Sequence, residues 1–270
     1  MADNTSPGYL LDVERGDTTW TLEVSKGMSN PLGSLYGGAP VAVSIEMAEH
    51  VVGAPCRWST TRFLSPSNIG DLIEVDCRVD VAGKRTSQVT VTGTREGKVI
   101  FETMLGVGAG KSDGLSGHWV TMPDAPDPET LPKPNREDRP AYVIDTAVER
   151  ADRRMAYGNF PGFGPAQDDG HIGMWASTSG IGGCTRAALG WLADCVPLSI
   201  GAAMGRMPMG TSLDNTVRFA AAPPPDADWV LLDIRAGAVQ DGYGYGTVHI
   251  WAQDGTLLGT GTQTAIIRTP

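Results

Sequence analysis

The sequence predicts an α+β fold built twice, each copy being one long helix beside an antiparallel meander. Three observations predict it. A pattern of strands and turns recurs, two glycine-led apolar segments have helical period, and a proline-rich stretch lies between the copies. In the first copy, Thr60-Thr61-Arg62-Phe63 leads to Asp71-Leu72-Ile73-Glu74-Val75-Asp76, then Gln88 to Thr92, a turn at Glu96-Gly97 and a closing run from Val99 to Val107. In the second, Asn215-Thr216-Val217-Arg218-Phe219 leads to Asp228 to Asp233, then Thr247 to Trp251, a turn at Asp254-Gly255 and a closing run from Leu257 to Ile267. Arg62 and Arg218 are 156 positions apart, and Gly97 and Gly255 are 158 apart, so the register holds.

Gly33 to Gly38 is a glycine-rich turn that opens a helix over 39–52, with Val41, Ile45, Ala48 and Val52 on one face. Pro40 suits its first turn, and Gly53 with Pro55 stops it. Four strands follow, from about Cys56 to Gly108. Residues 110–140, rich in Gly, Ser, Asp and Pro without apolar periodicity, read as a linker between a first unit at 1–109 and a second at 141–270. In the second unit Thr146 to Tyr157 reads as a strand, Asn159 to Gly170 as a loop and His171 to Thr178 as another strand. A second helix runs from Cys184 to Ala203, interrupted by Pro197, and four strands end the chain. A helix along one face of a curved sheet is the hotdog arrangement. Two tandem copies with sheets joined edge to edge make a double hotdog, and the junction hides two edge strands.

A net charge of −10 and a pI near 4.8 argue against nucleic acid as a partner, because phosphate binding needs clustered Lys and Arg. Cys56, Cys77, Cys184 and Cys195 are far apart and read as reduced, buried thiols. Met1 to Thr5 carries no basic segment before an apolar run, and no stretch of 18 apolar residues is present. A cytoplasmic protein with no membrane span is therefore expected. Homo-oligomers remain open, since sheet edges and faces are left over.

Several motifs are absent. No G-x-S-x-G elbow occurs, and Gly106 to Ser112 needs a glycine at Leu105 to be a phosphate-binding loop. His50, His118, His171 and His249 have no metal-ligand spacing, and no metal or other cofactor is called for. Asp113 and His118 have the spacing of a hydratase pair but fall in the linker. Three polar residues in the second unit stand out. Asp194 shares a helix face with Ala187 and Trp191, and a carboxylate among apolar neighbours needs a partner or a task. A helix-end cap before Pro197 is the plainer alternative. Ser212 opens a strand with a hydroxyl that donates and accepts, or is a turn serine. Gln263 stands in the last strand where the first unit has Leu105, marking a site present in one half only, or an outward strand residue.

On these residues the chain resembles the acyl-CoA thioesterase II family of double hotdogs. The first-half match is Leu35-Tyr36-Gly37-Gly38, Arg62-Phe63-Leu64 and Gly97 to Phe101. The second-half match is Trp175, Leu192-Ala193-Asp194, Ser212-Leu213-Asp214, Gln253-Asp254-Gly255 and Thr262-Gln263. The resemblance implies an acyl-CoA substrate and a water bound by an Asp, Thr, Gln triad, carried over to Asp194, Ser212 and Gln263. Serine for threonine keeps the hydroxyl and loses a methyl, and Ala39-Pro40 stands where a Gln is common. Asp194 is then the general base. Backbone N–H groups at Gly182 and Gly183 are the oxyanion candidates, with Gly37 and Gly38 at a second, degenerate site. Met155, Met174, Trp175, Trp191 and Met204 are candidate lining for an acyl tunnel, and Arg153, Arg154, Arg186 and Arg206 for the CoA phosphates. A non-catalytic acyl-thioester-binding protein and a hotdog hydratase are the alternatives.

Overall fold

The computed structural model describes residues 10–110, 113–138, 140–160, 165–167, 169–206 and 209–268. The leader-free reading of Met1 to Thr5, the Lys111-Ser112 pair and part of the 159–170 loop lie outside the described residues. In chain order come β1 (Val13–Arg15), β2 (Thr19–Glu23), α1 (Gly38–Val52), β3 (Cys56–Phe63), β4 (Leu72–Val81), β5 (Ser87–Arg95) and β6 (Lys98–Val107). The second half has β7 (Arg153–Tyr157), β8 (His171–Ser177), α2 (Arg186–Leu192), α3 (Val196–Met204), β9 (Met209–Phe219), β10 (Trp229–Gln240), β11 (Tyr243–Ala252) and β12 (Leu257–Arg268).

Among the described residues twelve strands form one antiparallel sheet, in the order β1-β2-β4-β5-β6-β3-β9-β12-β11-β10-β8-β7. The second six mirror the first, which is the double hotdog with its halves joined edge to edge. The junction pairs Thr60 with Thr216, its own counterpart in the repeat, and their hydroxyls are 3.0 Å apart. A local twofold axis therefore passes through this pair.

Expected and observed elements differ in three places. β1 and β2 extend the first unit beyond its four expected strands. The segment Thr146 to Tyr157 starts as a 3-10 turn at Ala147–Glu149 and is extended only from Arg153. The second helix is two helices rather than one interrupted run, and the chain leaves helical geometry at Ala193-Asp194-Cys195. Together Arg186–Met204 has the length and hydropathy of a membrane span, but it is broken at Asp194 and most of it is buried inside the fold.

One face of the sheet wraps the helices. Ile45, Met47, Ile73, Phe101, Leu105, Ile172, Trp191 and Ile250 are fully buried there. The outer face of the second half holds a smaller cluster of Trp175, Trp229, Leu231, Trp251 and Leu257, roofed by Met122, Ala125 and Leu131 of the 110–140 segment. Trp175 is therefore outside the helix–sheet interior, not in a tunnel within it. Beside this cluster Asp233 receives the hydroxyl of Tyr157 at 2.9 Å and lies 2.5 Å from His171 Nε2 and 3.6 Å from His249 Nδ1. Burial alone would raise the Asp233 pKa, but His249, His171 and Tyr157 outweigh it and hold the carboxyl down at about 2.

Helices α1 and α2 run antiparallel in close contact. Gly38 lies beside Trp191, Gly190 beside Val41 and Ile45, and Glu49 beside Arg186. A Cβ on Gly190 would stand 2.6 Å from Ile45 Cδ1 and 3.0 Å from Val41 Cγ1. Gly190→Val should therefore destabilise the protein by about 1–3 kcal/mol through overpacking, read as a lower urea midpoint with unchanged slope.

Candidate active site

The site forms at the helix break, and Pro197 explains the break. Proline has no N–H to give the carbonyl four residues back, which is that of Ala193, so it is placed in the first turn of α3 rather than inside a continuous helix. The freed carbonyls are taken up elsewhere. Asn215 Nδ2 donates to Ala193 O at 3.2 Å, and the Tyr36 hydroxyl lies 3.1 Å from both Trp191 O and Asp194 O. Asn215 is fully buried and sits opposite Gln263 in the β9–β12 pair.

The break turns Asp194 toward Gln263 and the start of α1. Gln263 is 2% exposed, and its orientation is set by chemistry: Oε1 accepts from the Val196 N–H at 3.3 Å, so Nε2 faces the other way. That nitrogen donates to Asp194 Oδ1 and, at 2.8 Å, to Ser212 Oγ. The three side chains named from the sequence are thus in one hydrogen-bonded unit. A bulge between Thr264 and Ala265 aligns Ser212 with Ala265 and aims it into this unit.

The first half supplies the rest. The backbone at Gly38 and Gly37 faces the Asp194 carboxylate and favours its charged form. Gly37 has no room for a side chain, because a Cβ there would lie 2.7 Å from Asp194 Oδ2. Gly37 and Gly38 therefore do not form a second, degenerate site; they lie against the base of this one. Gly182 and Gly183 are not at the site. They precede α2, whose seven residues put roughly 10 Å of helix axis between its start and the Asp194 end. The Gly183 N–H is bonded to Thr178 O at 2.9 Å.

Burial raises the pKa of Asp194 above the ordinary carboxylate value. Gln263, the Gly38 N–H, the positive charge of Arg153 and the Gly37 N–H offset this only in part. Burial, and then the nearby Asp194 charge, raise that of Tyr36, so it stays a neutral phenol. Cys195 is likewise pushed up by burial and by Asp194, and is a thiol rather than a thiolate nucleophile.

The equivalent place in the first half lacks this set. Leu105 and Cys56 stand where Gln263 and Ser212 do, Glu46 is paired with Arg15 at 2.6 Å, and Glu49 Oε1 accepts the Cys56 N–H at 2.7 Å. Of the other residues named from sequence, Met155, Met174, Trp191 and Met204 pack in the interior. Arg154 lies on the outer face, held by Pro128 O, Glu129 and Asp152 over the Trp229 ring. Arg186 lies 3.8 Å from Glu49, and Arg206 is exposed. Tyr36 and Asn215 were not named as site residues. Pro197 signals the freed carbonyl, but nothing in the sequence says which side chains answer it.

Fold and site define a double hotdog whose polar centre lies between its halves. Two family models match the chain: the acyl-CoA thioesterase N-terminal domain over residues 26–108 and the acyl-CoA thioesterase C-terminal domain over 121–267. The chain belongs to this acyl-CoA thioesterase family, whose members are thioester hydrolases. No curated protein matches the sequence. Among solved structures, one assigned as a thioesterase from Novosphingobium aromaticivorans is 26% identical, with a TM-score of 0.82 over 96% of this chain and 99% of that one. A hot dog fold protein from Alicyclobacillus acidocaldarius is 20% identical, with a TM-score of 0.81 over 96% of both chains. An acyl-CoA thioesterase II from Mycobacterium marinum is 19% identical, with a TM-score of 0.71 over 97% and 96%.

Gly37→Ala keeps an allowed backbone at φ −62° but drives a methyl against the carboxylate. Thioester turnover should fall by about tenfold or more while the thermal midpoint shifts by a few degrees at most, which steady-state kinetics and calorimetry would check together.

Proposed function

We propose that the protein hydrolyses acyl-CoA thioesters to free acid and CoA by direct attack of a water held between Asp194, Ser212 and Gln263. One observation carries this: the Gln263 amide touches the carboxylate and the hydroxyl at once, with its own orientation locked by Val196. A water at that corner can give a proton to Asp194, accept from the Ser212 hydroxyl and keep a lone pair free for the carbonyl carbon. As the water attacks, its proton passes to Asp194 and the carbonyl π electrons move onto oxygen. The intermediate collapses by breaking the C–S bond, and the departing thiolate recovers the proton. A thiol with a pKa of about 8.5 leaves readily, so no covalent enzyme intermediate is needed.

The raised pKa of Asp194 suits this role, because a base whose pKa lies nearer the working pH binds the proton more firmly in the transition state. It also sets a sign. The base works as the carboxylate, so kcat/KM should fall on the acid side through a midpoint above the usual carboxylate value of about 3.9. A limb at or below that value would contradict Asp194 as the base.

Asp194→Asn keeps the shape and removes the base, and turnover of a graded acyl-CoA panel should drop by at least about a hundredfold. Stability should move the other way. A carboxyl whose pKa is raised by folding contributes stability that is complete at low pH and lost as pH rises through its folded value. Around pH 7 the asparagine variant should therefore melt no lower than wild type, and a clear fall would show that the carboxylate is structural. Wild type that binds acyl-CoA without releasing thiol would instead mark a binding protein.

A further inference from the structure

The hydrolysis proposed above needs a donor for the thioester carbonyl oxygen, and the backbone groups expected for that task face the base or lie away from it. Gly37 and Gly38 face Asp194, and Gly182 and Gly183 stand at the far end of α2. Resting on that reaction, we propose that Arg153 is the oxyanion donor: its guanidinium holds the carbonyl oxygen while the water on Asp194 attacks.

Arg153 opens β7 and points to the helix side of the sheet. Its partner across the β7–β8 ladder is Ala176, a residue of the interior, whereas Arg154 turns to the outer face. Arg150 and Arg154 are both committed to carboxylates, at 3.0 Å from Asp12 and 3.2 Å from Asp152. Arg153 has no carboxylate within 4.0 Å among the described residues, and its Nε is buried without a hydrogen-bond partner. Its guanidinium approaches the Tyr36 hydroxyl, which is itself hydrogen-bonded to the backbone of Asp194. Its charge acts on the Asp194 carboxylate across a gap wider than an ion pair. The buried indole N–H of Trp191 also lacks a partner, but Trp191 is 0% exposed whereas Arg153 keeps accessible surface.

The charges balance through the step. When Asp194 takes the water proton it becomes neutral, and one negative charge appears on the carbonyl oxygen. A guanidinium, always protonated, then pairs with the oxyanion instead of the carboxylate, so the buried site never changes net charge. An unpaired buried N–H is costly in the free protein, and the substrate oxygen relieves that cost.

The test measures kcat, KM and the pH profile for wild type, Arg153→Met, Arg153→Gln and Arg153→Lys on one saturating acyl-CoA, with thermal midpoints as the folding control. Loss of one oxyanion donor should lower kcat by about 10²–10³ with KM little changed. Lysine, which keeps the charge, should recover part of the loss, and glutamine, which keeps only an N–H, less. Should Arg153→Met fold poorly, the glutamine and lysine variants carry the comparison. A variant that regains the full plateau rate at higher pH, with only its acid limb moved up, would show that Arg153 merely tunes Asp194, and would overturn the proposal while hydrolysis stands. No thiol release by wild type would remove the reaction and the donor together.

Discussion

The close antiparallel packing of α1 on α2 is the constraint on which the rest of the molecule depends. Two helices in such contact leave no space for side chains where they cross, and glycine stands at Gly38 and Gly190 for that reason. A Cβ on Gly38 would meet the carbonyl of Trp191 at 2.4 Å. Because the helices are antiparallel, the start of one meets the end of the other. The N–H groups that open α1, which no helix can satisfy internally, therefore face the residues that close α2. There the chain has placed Asp194.

This arrangement divides the work between halves. All three side chains of the hydrogen-bonded unit come from the second half, yet the carboxylate faces backbone of the first. Duplication explains how this arose without disturbing the fold. The local twofold through Thr60 and Thr216 would create two such places. At the other, Leu105 and Cys56 replace the polar pair, and Glu46 and Glu49 are tied up in ion pairs and a backbone cap. A leucine there packs without needing partners, so that half can serve stability alone.

Some of the buried polar atoms without partners belong to residues near the helix break. The indole nitrogen of Trp191, Oδ1 of Asn215 and Nε of Arg153 are all buried without partners, and all belong to residues around the helix break. Interiors normally satisfy such atoms, and exceptions concentrate where a ligand completes the set. On the outer face one polar cluster is well partnered, although the Trp251 indole nitrogen there is buried without a partner. Asp233 there is surrounded by Tyr157, His171 and His249, which knit four strands together.

The duplicated units and the edge-to-edge sheet were legible in the sequence because they rest on local periodicity and on comparison of one repeat with the other, whereas Asp194, Ser212 and Gln263 were joined into one set only by the resemblance to the thioesterase II family. Gln263 stood out only because Leu105 occupies its counterpart. Local signals also marked Pro197 as a break and allowed Asp194 a place at a helix end before it. What the tertiary structure alone decided was who faces whom across the crossing. Tyr36 and Asp194 are 158 positions apart, and their meeting depends on the antiparallel direction of two helices from different halves. That direction follows from the twofold pairing of β3 with β9, a long-range choice that no run of neighbouring residues encodes. For the same reason Gly37 and Gly38 lie against the base while Gly182 and Gly183 stand a helix-length away, and Arg153, whose charge acts on Asp194, comes from an edge strand.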